Sequence, residues 1–240
     1  MFKRFISLIL IILLGSICIA QDIAVLSGRE RKGSADQQEL NLASRHIREA
    51  LQFLEIPFRN LSDASLKEKD LKELKLLFLP QNHILSAENF SIIKNFVEKG
   101  GKIAVFYSSD KQLLNLLDIK ETRYVSKQQL GNVSGISFIK DIWQGVPEFL
   151  PQRSGNLLEA VFDKENKNLQ IAGNFIREDG SDSDRVGLLL HENGFYMAHV
   201  YLAQDRQDAR QFIQSIIAHF VPEYWKKATK TKLAEIGKIF

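Results

Sequence analysis

The stretch KLLFLPQNHILSAENFSIIKNFVEKGGKIAVFYSSD, residues 75–110, decides the fold. Its apolar run at 76–79 predicts a short strand that is covered on both faces, and Pro80 ends the run. Apolar side chains recur at helical spacing in residues 86–99, and residues 102–107 predict a second buried strand. This is the pattern of a β-α-β unit, so the two strands should be parallel and joined by a right-handed crossover.

The same stretch contains residues that suit the ends of helices. Ser86 stands before the first helix and is a good N-cap residue, while Gly100 follows that helix and can adopt the left-handed conformation of a C-cap. Asp110 stands where a further helix should begin. Its carboxylate can accept hydrogen bonds from the first backbone N–H groups of that helix.

The first half of the chain continues the alternation of strands and helices. The sequence predicts strands at 22–26 and 57–61 and helices at 36–54, 65–74 and 111–117. That order predicts an α/β fold, namely a flavodoxin-like, doubly wound, mostly parallel sheet with helices on both faces.

The second half is less regular. Residues 119–168 are predicted to form an irregular insertion or an extension of the sheet. After them we expect a strand at 169–175, a solvated turn at 178–185, a C-terminal β-hairpin with strands at 186–191 and 195–201 turning at Asn193-Gly194, and an amphipathic helix at 204–221. Residues 21–221 would thus be one domain, and residues 222–240 a C-terminal helical tail or connector.

The first twenty residues have the features of a bacterial secretory signal peptide. Lys3 and Arg4 form a basic start, residues 5–14 are an unbroken apolar run, and residues 15–20 supply the small side chains of a cleavage site. We expect cleavage after Ala20 and a secreted or periplasmic location in the cell envelope. The alternative is an uncleaved anchor, which would be the one membrane contact, although the apolar run is short for a spanning helix.

Cleavage would change both the charge and the cysteine content. The formal net charge of +3 falls to +1 when Lys3 and Arg4 are lost, so the composition gives no support for a nucleic-acid partner. Cys18 is the only cysteine, and the mature chain would therefore have no disulfide, no thiol nucleophile and no cysteine ligand for zinc. No motif predicts a cofactor or a metal site.

Candidate binding residues follow the two strands of the opening stretch. Ligands of α/β sheets bind at the carboxyl ends of the strands. Asn82 and His83 come after the first strand and Asp110 comes after the second, so these three residues are our ligand-binding candidates. Trp143 is a further aromatic residue that either stacks on a sugar or fills the edge of the core.

A catalytic interpretation would use the same edge of the sheet. A nucleophile elbow places the nucleophile at a sharp strand-to-helix turn, and here Ser108 or Ser109 has that place, with His83 or His199 as the base. No glycine flanks the turn to relieve its strain. In the alternative interpretation the serines belong to a helix cap, His83 hydrogen-bonds within a loop, and His199 is a core histidine.

Three segments together resemble a known family: LLFLPQNHILSAENFSIIKNFVEKGGKIAVFYSSD (76–110), DIAVL (22–26) and AHVYLAQD (198–205). Over residues 22–221 the chain resembles a class I glutamine amidotransferase-like domain. It is most similar to the non-catalytic versions found in bacterial extracytoplasmic proteins ahead of glycoside-hydrolase-like barrels, and it is akin to the β-galactosidase trimerisation domain.

The resemblance also shows where this chain departs from the catalytic members. Those enzymes carry a cysteine at the elbow, paired with a histidine and a glutamate, whereas this elbow holds Ser108 and Ser109. His199 has the place of the histidine, but Val200 and Tyr201 follow it in place of the proline and glutamate. The resemblance therefore implies a protein without glutaminase activity.

Our main interpretation is an exported amidotransferase-like domain without the catalytic cysteine. It would not be an enzyme but a binding or scaffolding module linked to carbohydrate processing. The resemblance implies carbohydrate or a glycoside-hydrolase-like domain as the partner, and it is compatible with a homo-oligomer. Two alternatives stay open: a serine-dependent hydrolase using Ser108 or Ser109 with His83 or His199, or the N-terminal part of a larger glycoside-hydrolase-like protein.

Overall fold

The computed structural model describes residues 22–28, 35–81, 85–153 and 155–226, and of residues 35–40 it describes the backbone only. The predicted leader, most of the predicted tail, Asn82 and His83 lie outside the described residues. Residues 222–226 begin a helical segment. Among the described residues, no helix combines the length and hydropathy that a membrane span requires.

The described residues contain these strands: β1 (Ile23–Ser27), β2 (Arg59–Ser62), β3 (Leu76–Leu79), β4 (Lys102–Phe106), β5 (Ile119–Val125), β6 (Val133–Phe138), β7 (Phe149–Pro151), β8 (Leu157–Phe162), β9 (Gln170–Arg177), β10 (Asp182–His191) and β11 (Gly194–Met197). The helices are α1 (Ala35–Phe53), α2 (Glu68–Leu71), α3 (Ala87–Glu98), α4 (Lys111–Asn115), α5 (Lys127–Leu130) and α6 (Arg206–Phe220).

The strands form one large mixed sheet and one small sheet. The large sheet has the order β2-β1-β3-β4-β11-β10-β9-β6-β7. Its first five strands are parallel, and the remaining four add to them as antiparallel neighbours. Strands β5 and β8 pair separately. The predicted α/β class, with a large central sheet, is therefore confirmed.

The unit β3-α3-β4 forms as the opening stretch predicts. The two strands are parallel, in register from Leu76 opposite Lys102 to Leu79 opposite Val105. Every residue of β3 is fully buried, because the strand is covered on both faces. The Ser86 side chain accepts a hydrogen bond from the Asn89 N–H at 3.2 Å, and the positive φ of Gly100 (+93°) ends the helix.

The large sheet has two edges at which its strands begin and end. We call the edge at which the five parallel strands end the carboxyl edge, and the opposite edge the amino edge. Since β10 and β6 run against the parallel strands, both of them end at the amino edge. The chain moves in opposite directions from β1 to β2 and from β3 to β4, so the switch of strand order, where α/β sheets bind ligands, lies between β1 and β3.

The predicted helix at 65–74 is wrong in its extent. A 3₁₀ turn (Asp63–Ser65) and the four-residue helix α2 replace it. Lys67 between them has an extended backbone, and its N–H donates to the Asp70 carboxylate at 2.9 Å. This local hydrogen bond starts a new helix after Lys67, where a continuous helix was expected.

Residues 119–168 and the turn predicted at 178–185 are both more regular than expected. Residues 119–168 contain α5 and four strands, of which β6 and β7 extend the large sheet while β5 and β8 form the small one. The turn at 178–185 is shorter than expected, because β10 already begins at Asp182, opposite Ile176 of β9. Trp143 is buried and donates to the Ser215 carbonyl at 3.2 Å, so it fills the core and offers no free face to a sugar.

The connection between β10 and β11 differs from the predicted Asn-Gly turn. It consists of Glu192 and Asn193, neither of which has a positive φ, and Gly194 is already the first residue of β11. Gly194 has φ +150°, and a Cβ there would lie 1.8 Å from the Ile103 carbonyl oxygen. The glycine is therefore required by the close approach of β4, not by a type I′ turn.

Candidate functional site

A cavity of about 280 Å³ opens at the carboxyl edge. Three neighbouring parallel strands lead into it: Gln81 follows β3, Tyr107 follows β4 and His199 follows β11. Helix α1 contributes His46. We call this space the edge cavity.

Two further depressions lie elsewhere on the described surface. One of about 320 Å³ lies between α2 and α3, and one of about 510 Å³ lies beside the ends of β1 and β2. Both linings include exposed lysines and residues of the short helix α2. The edge cavity is smaller and lies next to the switch of strand order, on the side of β3, β4 and β11. It gathers the ends of three parallel strands and a buried histidine at the carboxyl edge, where α/β sheets bind ligands.

Tyr107 is the residue at the sharp corner between β4 and α4. Its φ of +46° is unusual for a residue with a side chain, and its N–H donates to the Met197 carbonyl at 2.9 Å. A nucleophile elbow places the reacting residue in this strained strand-to-helix turn. In this chain that residue is Tyr107, one position before Ser108.

The two serine candidates lie beside this corner. Ser108 is fully buried, its Oγ accepts from the Asp110 N–H at 3.3 Å, and its carbonyl accepts from the Thr122 hydroxyl at 3.3 Å. Ser109 is exposed. As the structure describes it, the cavity lining contains Tyr107 and His199 but neither serine.

Asp110 holds the corner together through three backbone groups. Oδ1 accepts from the N–H groups of Gln112 (2.9 Å) and Leu113 (3.0 Å), so the predicted N-cap of α4 is confirmed. Oδ2 accepts from the N–H of Leu85 at 2.7 Å, which ties in the loop that follows β3. Both carboxylate oxygens are thus engaged with the backbone. The other two ligand-binding candidates, Asn82 and His83, lie in the part of that loop outside the described residues.

His199 lies two residues beyond the end of β11, whereas the sequence predicted it inside the strand. Its side chain is buried, and its ring centroid lies 6.0 Å from that of Tyr107. Nδ1 is 2.7 Å from the Val200 carbonyl oxygen. Since a carbonyl only accepts, Nδ1 carries the proton and the lone pair is on Nε2. Burial lowers the pKa of His199 to about 4, so the ring is neutral near pH 7.

The segment that carries His199, residues 198–204, is fixed by side chains from other parts of the chain. The buried Gln152 donates from Nε2 to the Leu202 carbonyl (2.8 Å) and accepts from the Leu202 N–H (3.2 Å). Nδ1 of His46 lies 3.2 Å from the Tyr201 carbonyl oxygen, so this ring too has its proton on Nδ1. These hydrogen bonds connect the cavity wall to α1 and to the segment that follows β7.

Tyr201 leaves one polar group of this wall unsatisfied. The residue is 1% exposed, and its hydroxyl is a buried side-chain polar atom without a hydrogen-bond partner among the described residues. Burial also raises the pKa of this phenol, so the hydroxyl is neutral. A buried unpaired hydroxyl costs about 1–3 kcal/mol. It is the kind of group that a bound ligand or an ordered water satisfies.

Sequence reasoning named His199 as a site residue but not Tyr107, His46 or Tyr201, and it placed Gln81 only in the loop after the first strand of the opening stretch. No sequence pattern predicts a positive φ at a tyrosine. The sequence predicts Tyr107 as the last residue of the strand at 102–107. His46 lies beside the apolar stripe of α1, and only the return of residues 198–204 to that helix brings it to the site. Among the described residues, no group of three or more His, Cys, Asp or Glu side chains is placed to hold a metal ion.

No protein-family model and no curated protein matches the sequence. Solved structures do share the fold. A ThuA-like protein from Bacteroides uniformis superposes with a TM-score of 0.57 at 10% identity, covering 84% of this chain and 94% of its own. Gan42B, a GH42 β-galactosidase, gives a TM-score of 0.57 at 12% identity, covering 82% of this chain and 30% of its own. PurLQS from Thermotoga maritima gives 0.54 at 11% identity, covering 83% and 99%.

At these identities the likeness shows the fold alone. The three neighbours agree with the glutamine amidotransferase-like fold that the sequence resembles. The chain spans about a third of the length of the β-galactosidase, and most of that enzyme has no counterpart here.

Proposed function

We propose that this protein is an exported, non-catalytic amidotransferase-like domain that binds a carbohydrate in the edge cavity and serves as a binding or scaffolding module. The observation that carries the proposal is Tyr107 at the strained corner beside His199. The place of the nucleophile is taken by a large aromatic side chain that forms part of a cavity wall.

The chemistry of this corner supports binding over acyl transfer. The chain has a single cysteine, Cys18, in the predicted leader, so the domain has no thiol for the corner. The low pKa of His199 makes its imidazole a weak proton acceptor for a serine or tyrosine hydroxyl. Among the described residues no carboxylate is paired with His199, and its Nδ1 donates to a backbone carbonyl.

Two observations support a carbohydrate as the ligand class, namely the lining of the cavity and the solved structures of this fold. The cavity of about 280 Å³ has room for one sugar unit, and its lining mixes aromatic side chains with amide and imidazole groups. The fold assignment has separate support. The strand order β2-β1-β3-β4-β11, followed by the β10–β11 pair, supports a flavodoxin-like fold with a C-terminal β-hairpin. Solved structures of this fold include domains of a β-galactosidase and, at a TM-score of 0.51, of an α-L-fucosidase.

The same neighbours support a partner for the domain. We infer that it works beside a glycoside-hydrolase-like domain, in the same protein or in another one, and that it self-associates. Light scattering coupled to size-exclusion chromatography tests the second point, and a monomer at micromolar concentration would remove it. For export, the leader predicts that protein from the envelope fraction begins at Gln21, which N-terminal sequencing checks.

A glycan array with the purified full chain tests the proposed ligand. We expect binding to a subset of glycans and loss of that binding in Tyr107→Ala, which removes one wall of the cavity. The matched control is Phe53→Ala, because Phe53 is an exposed aromatic at the last position of α1 that packs against Arg210 and does not line the cavity. Two results would overturn the proposal: no signal on any glycan, or hydrolysis of simple esters that disappears in Ser109→Ala.

A further inference from the structure

The edge cavity combines fixed hydrogen-bond acceptors with one cation, and on this basis we propose that its ligand is an acidic sugar, a hexuronate unit of a polysaccharide. The inference rests on the proposed carbohydrate function and names the substrate class. Arg153 would be the residue that selects the carboxylate, and the two histidines would accept hydrogen bonds from the sugar hydroxyls.

The acceptors follow from the tautomers of the histidines. Both His46 and His199 use Nδ1–H on a backbone carbonyl, of Tyr201 and Val200 respectively. Neither ring has another hydrogen bond in the described part of the chain, so each Nε2 keeps a lone pair for a ligand. A hydroxyl group can donate to such a nitrogen, whereas a carboxylate cannot. These two rings therefore suit the hydroxyl side of a sugar.

The cation is Arg153, at the rim of the cavity. Its backbone is held by Gln204, which accepts from the Arg153 N–H at 2.7 Å and donates to its carbonyl at 3.4 Å. Its guanidinium has no carboxylate partner among the described residues, and none of the described residues that line the cavity is Asp or Glu. A guanidinium binds a carboxylate through two parallel hydrogen bonds. The cavity thus has one place for a negative group.

The charge pattern separates an acidic sugar from other small polar ligands. Burial keeps His199 neutral at ordinary pH, so it attracts no anion, and among the described residues that line the cavity Arg153 is the one Lys, Arg, Asp or Glu. An amino sugar would bring its ammonium group towards a guanidinium, which is unfavourable. A neutral sugar would satisfy the imidazoles but leave the arginine without a partner.

The rim offers a second contact for a chain of sugars. Tyr124 of β5 is an exposed large aromatic, and its hydroxyl donates to Oδ1 of Asn156 at 2.8 Å. Asn156 lines the cavity, so the Tyr124 ring lies beside its mouth. The apolar face of a sugar ring can pack on such an aromatic surface. We therefore expect a ligand of at least two sugar units.

The test compares hexuronate oligosaccharides with their methyl esters, which keep the same sugars but lose the charge. Oligomers of galacturonate, glucuronate and mannuronate are titrated into the full-length protein by isothermal calorimetry. We expect at least one acid to bind about tenfold or more tightly than its ester, as for one charge-assisted pair of hydrogen bonds. Arg153→Gln should bring the acid down to the affinity of the ester. Lys140→Gln is the control, because it removes one positive charge from an exposed residue just after β6, at the amino edge.

Each outcome supports or overturns the inference. Tighter binding of the acid that is lost in Arg153→Gln and kept in Lys140→Gln supports it. Equal binding of acid and ester overturns it while the carbohydrate-binding function stands. Binding of no carbohydrate at all overturns both. An acid preference that Arg153→Gln leaves intact, with an unchanged melting temperature, would overturn the role of Arg153.

Discussion

Two corners of this molecule combine a buried histidine with a non-glycine residue at positive φ, and they lie at opposite edges of the sheet. At the carboxyl edge these are His199 and Tyr107 (φ +46°), and at the amino edge they are His191 and Asp118 (φ +56°). The rings are equally buried, but their partners differ.

At the amino edge both ring nitrogens of the histidine are used. The Asn193 N–H donates to Nδ1 of His191 at 3.0 Å, so the proton is on Nε2, which lies 3.3 Å from Oδ2 of Asp118. The same oxygen accepts from the side chains of Asn166 (2.9 Å) and Asn168 (3.3 Å). We call this the closed corner.

At the carboxyl edge His199 has fewer hydrogen-bond partners, and its ring lines the edge cavity. His199 has a carbonyl at one nitrogen only, and the hydroxyl of Tyr201 is buried without a partner among the described residues. Groups that folding has already satisfied stabilise the structure, whereas groups that are buried, positioned and unsatisfied can bind. On this contrast we propose that the corner of His199 and Tyr107, which we call the open corner, is the functional one and that the closed corner is structural. Four predictions test this contrast, from the largest expected effect to the smallest.

Substitution beside the closed corner should be the most damaging. Gly194 pairs with His191, and a Cβ there would meet the Ile103 carbonyl at 1.8 Å. We expect Gly194→Ala to lower the free energy of unfolding by about 4 kcal/mol or more in urea titrations. Gly180→Ala is the control, since φ is also positive there (+82°) but no atom lies within 4 Å, and it should cost about 1 kcal/mol. Equal losses in the two variants would contradict the close approach.

The open corner should make stability depend on pH through His199. Burial lowers its pKa from 6.5 to about 4, so between these values the unfolded chain binds more protons. The contribution is complete above about pH 6.5 and is lost as the pH falls towards 4, by about 3 kcal/mol at most. Urea titrations across this range should show a steeper loss for the wild type than for His199→Gln. Parallel curves for the two proteins would argue against a buried neutral ring.

The Asp110 carboxylate should contribute more than an ordinary helix cap. Asp110→Ala removes the cap of α4 and leaves the Leu85 N–H without its acceptor, so we expect a loss of about 2 kcal/mol or more in unfolding free energy. Asp205→Ala is matched to it, because Asp205 caps α6 through two backbone N–H groups and is exposed. That variant should lose about 1 kcal/mol. If both lose the same amount, the tie to Leu85 contributes nothing.

The smallest effect is expected from the charge of Asp118. The hydrogen bond from Asn166, followed by those of Asn168 and His191, lowers the pKa of this carboxyl against the opposing effect of burial. Its stabilising contribution is therefore present above the usual carboxyl pKa and is lost as the pH falls through the lowered value. The stability gap between wild type and Asp118→Asn should shrink on acidification, measured by thermal unfolding. Glu165→Gln, at an exposed carboxylate, should show no such change in gap.

Much of the parallel half of the fold follows from local patterns. Residues 76–79 are apolar throughout because both faces of β3 are covered, and Ser86, Gly100 and Asp110 act at helix ends as their side chains and backbones allow. These features depend on neighbours in the sequence. The helix expected at 65–74 failed for a related reason, since the Lys67–Asp70 hydrogen bond is local but competes with helix continuation.

Only part of the candidate site could be predicted from the sequence. The sequence predicted that the ends of β3 and β4 would meet, and it named His199 near the end of a later strand, where the resemblance also pointed. The corner was expected to present Ser108 or Ser109, yet Tyr107 holds the positive φ because β4 ends there and the chain must turn sharply into α4. The backbone preferences of tyrosine do not predict this positive φ, since the surrounding structure imposes it.

The sequence by itself determined the α/β class, the central β-α-β unit and the absence of a cysteine from the domain. Each depends on residue type and on spacing along the chain, which a sequence states directly. The tertiary structure alone decided the tautomers of the histidines, the unpaired hydroxyl of Tyr201, and the position of Arg153 beside His46 and His199. The His46 tautomer and the shared cavity wall depend on residues far apart in the chain, which only the folded sheet brings together. His199 bonds to the next residue, but the folded structure fixes the conformation that makes this bond possible.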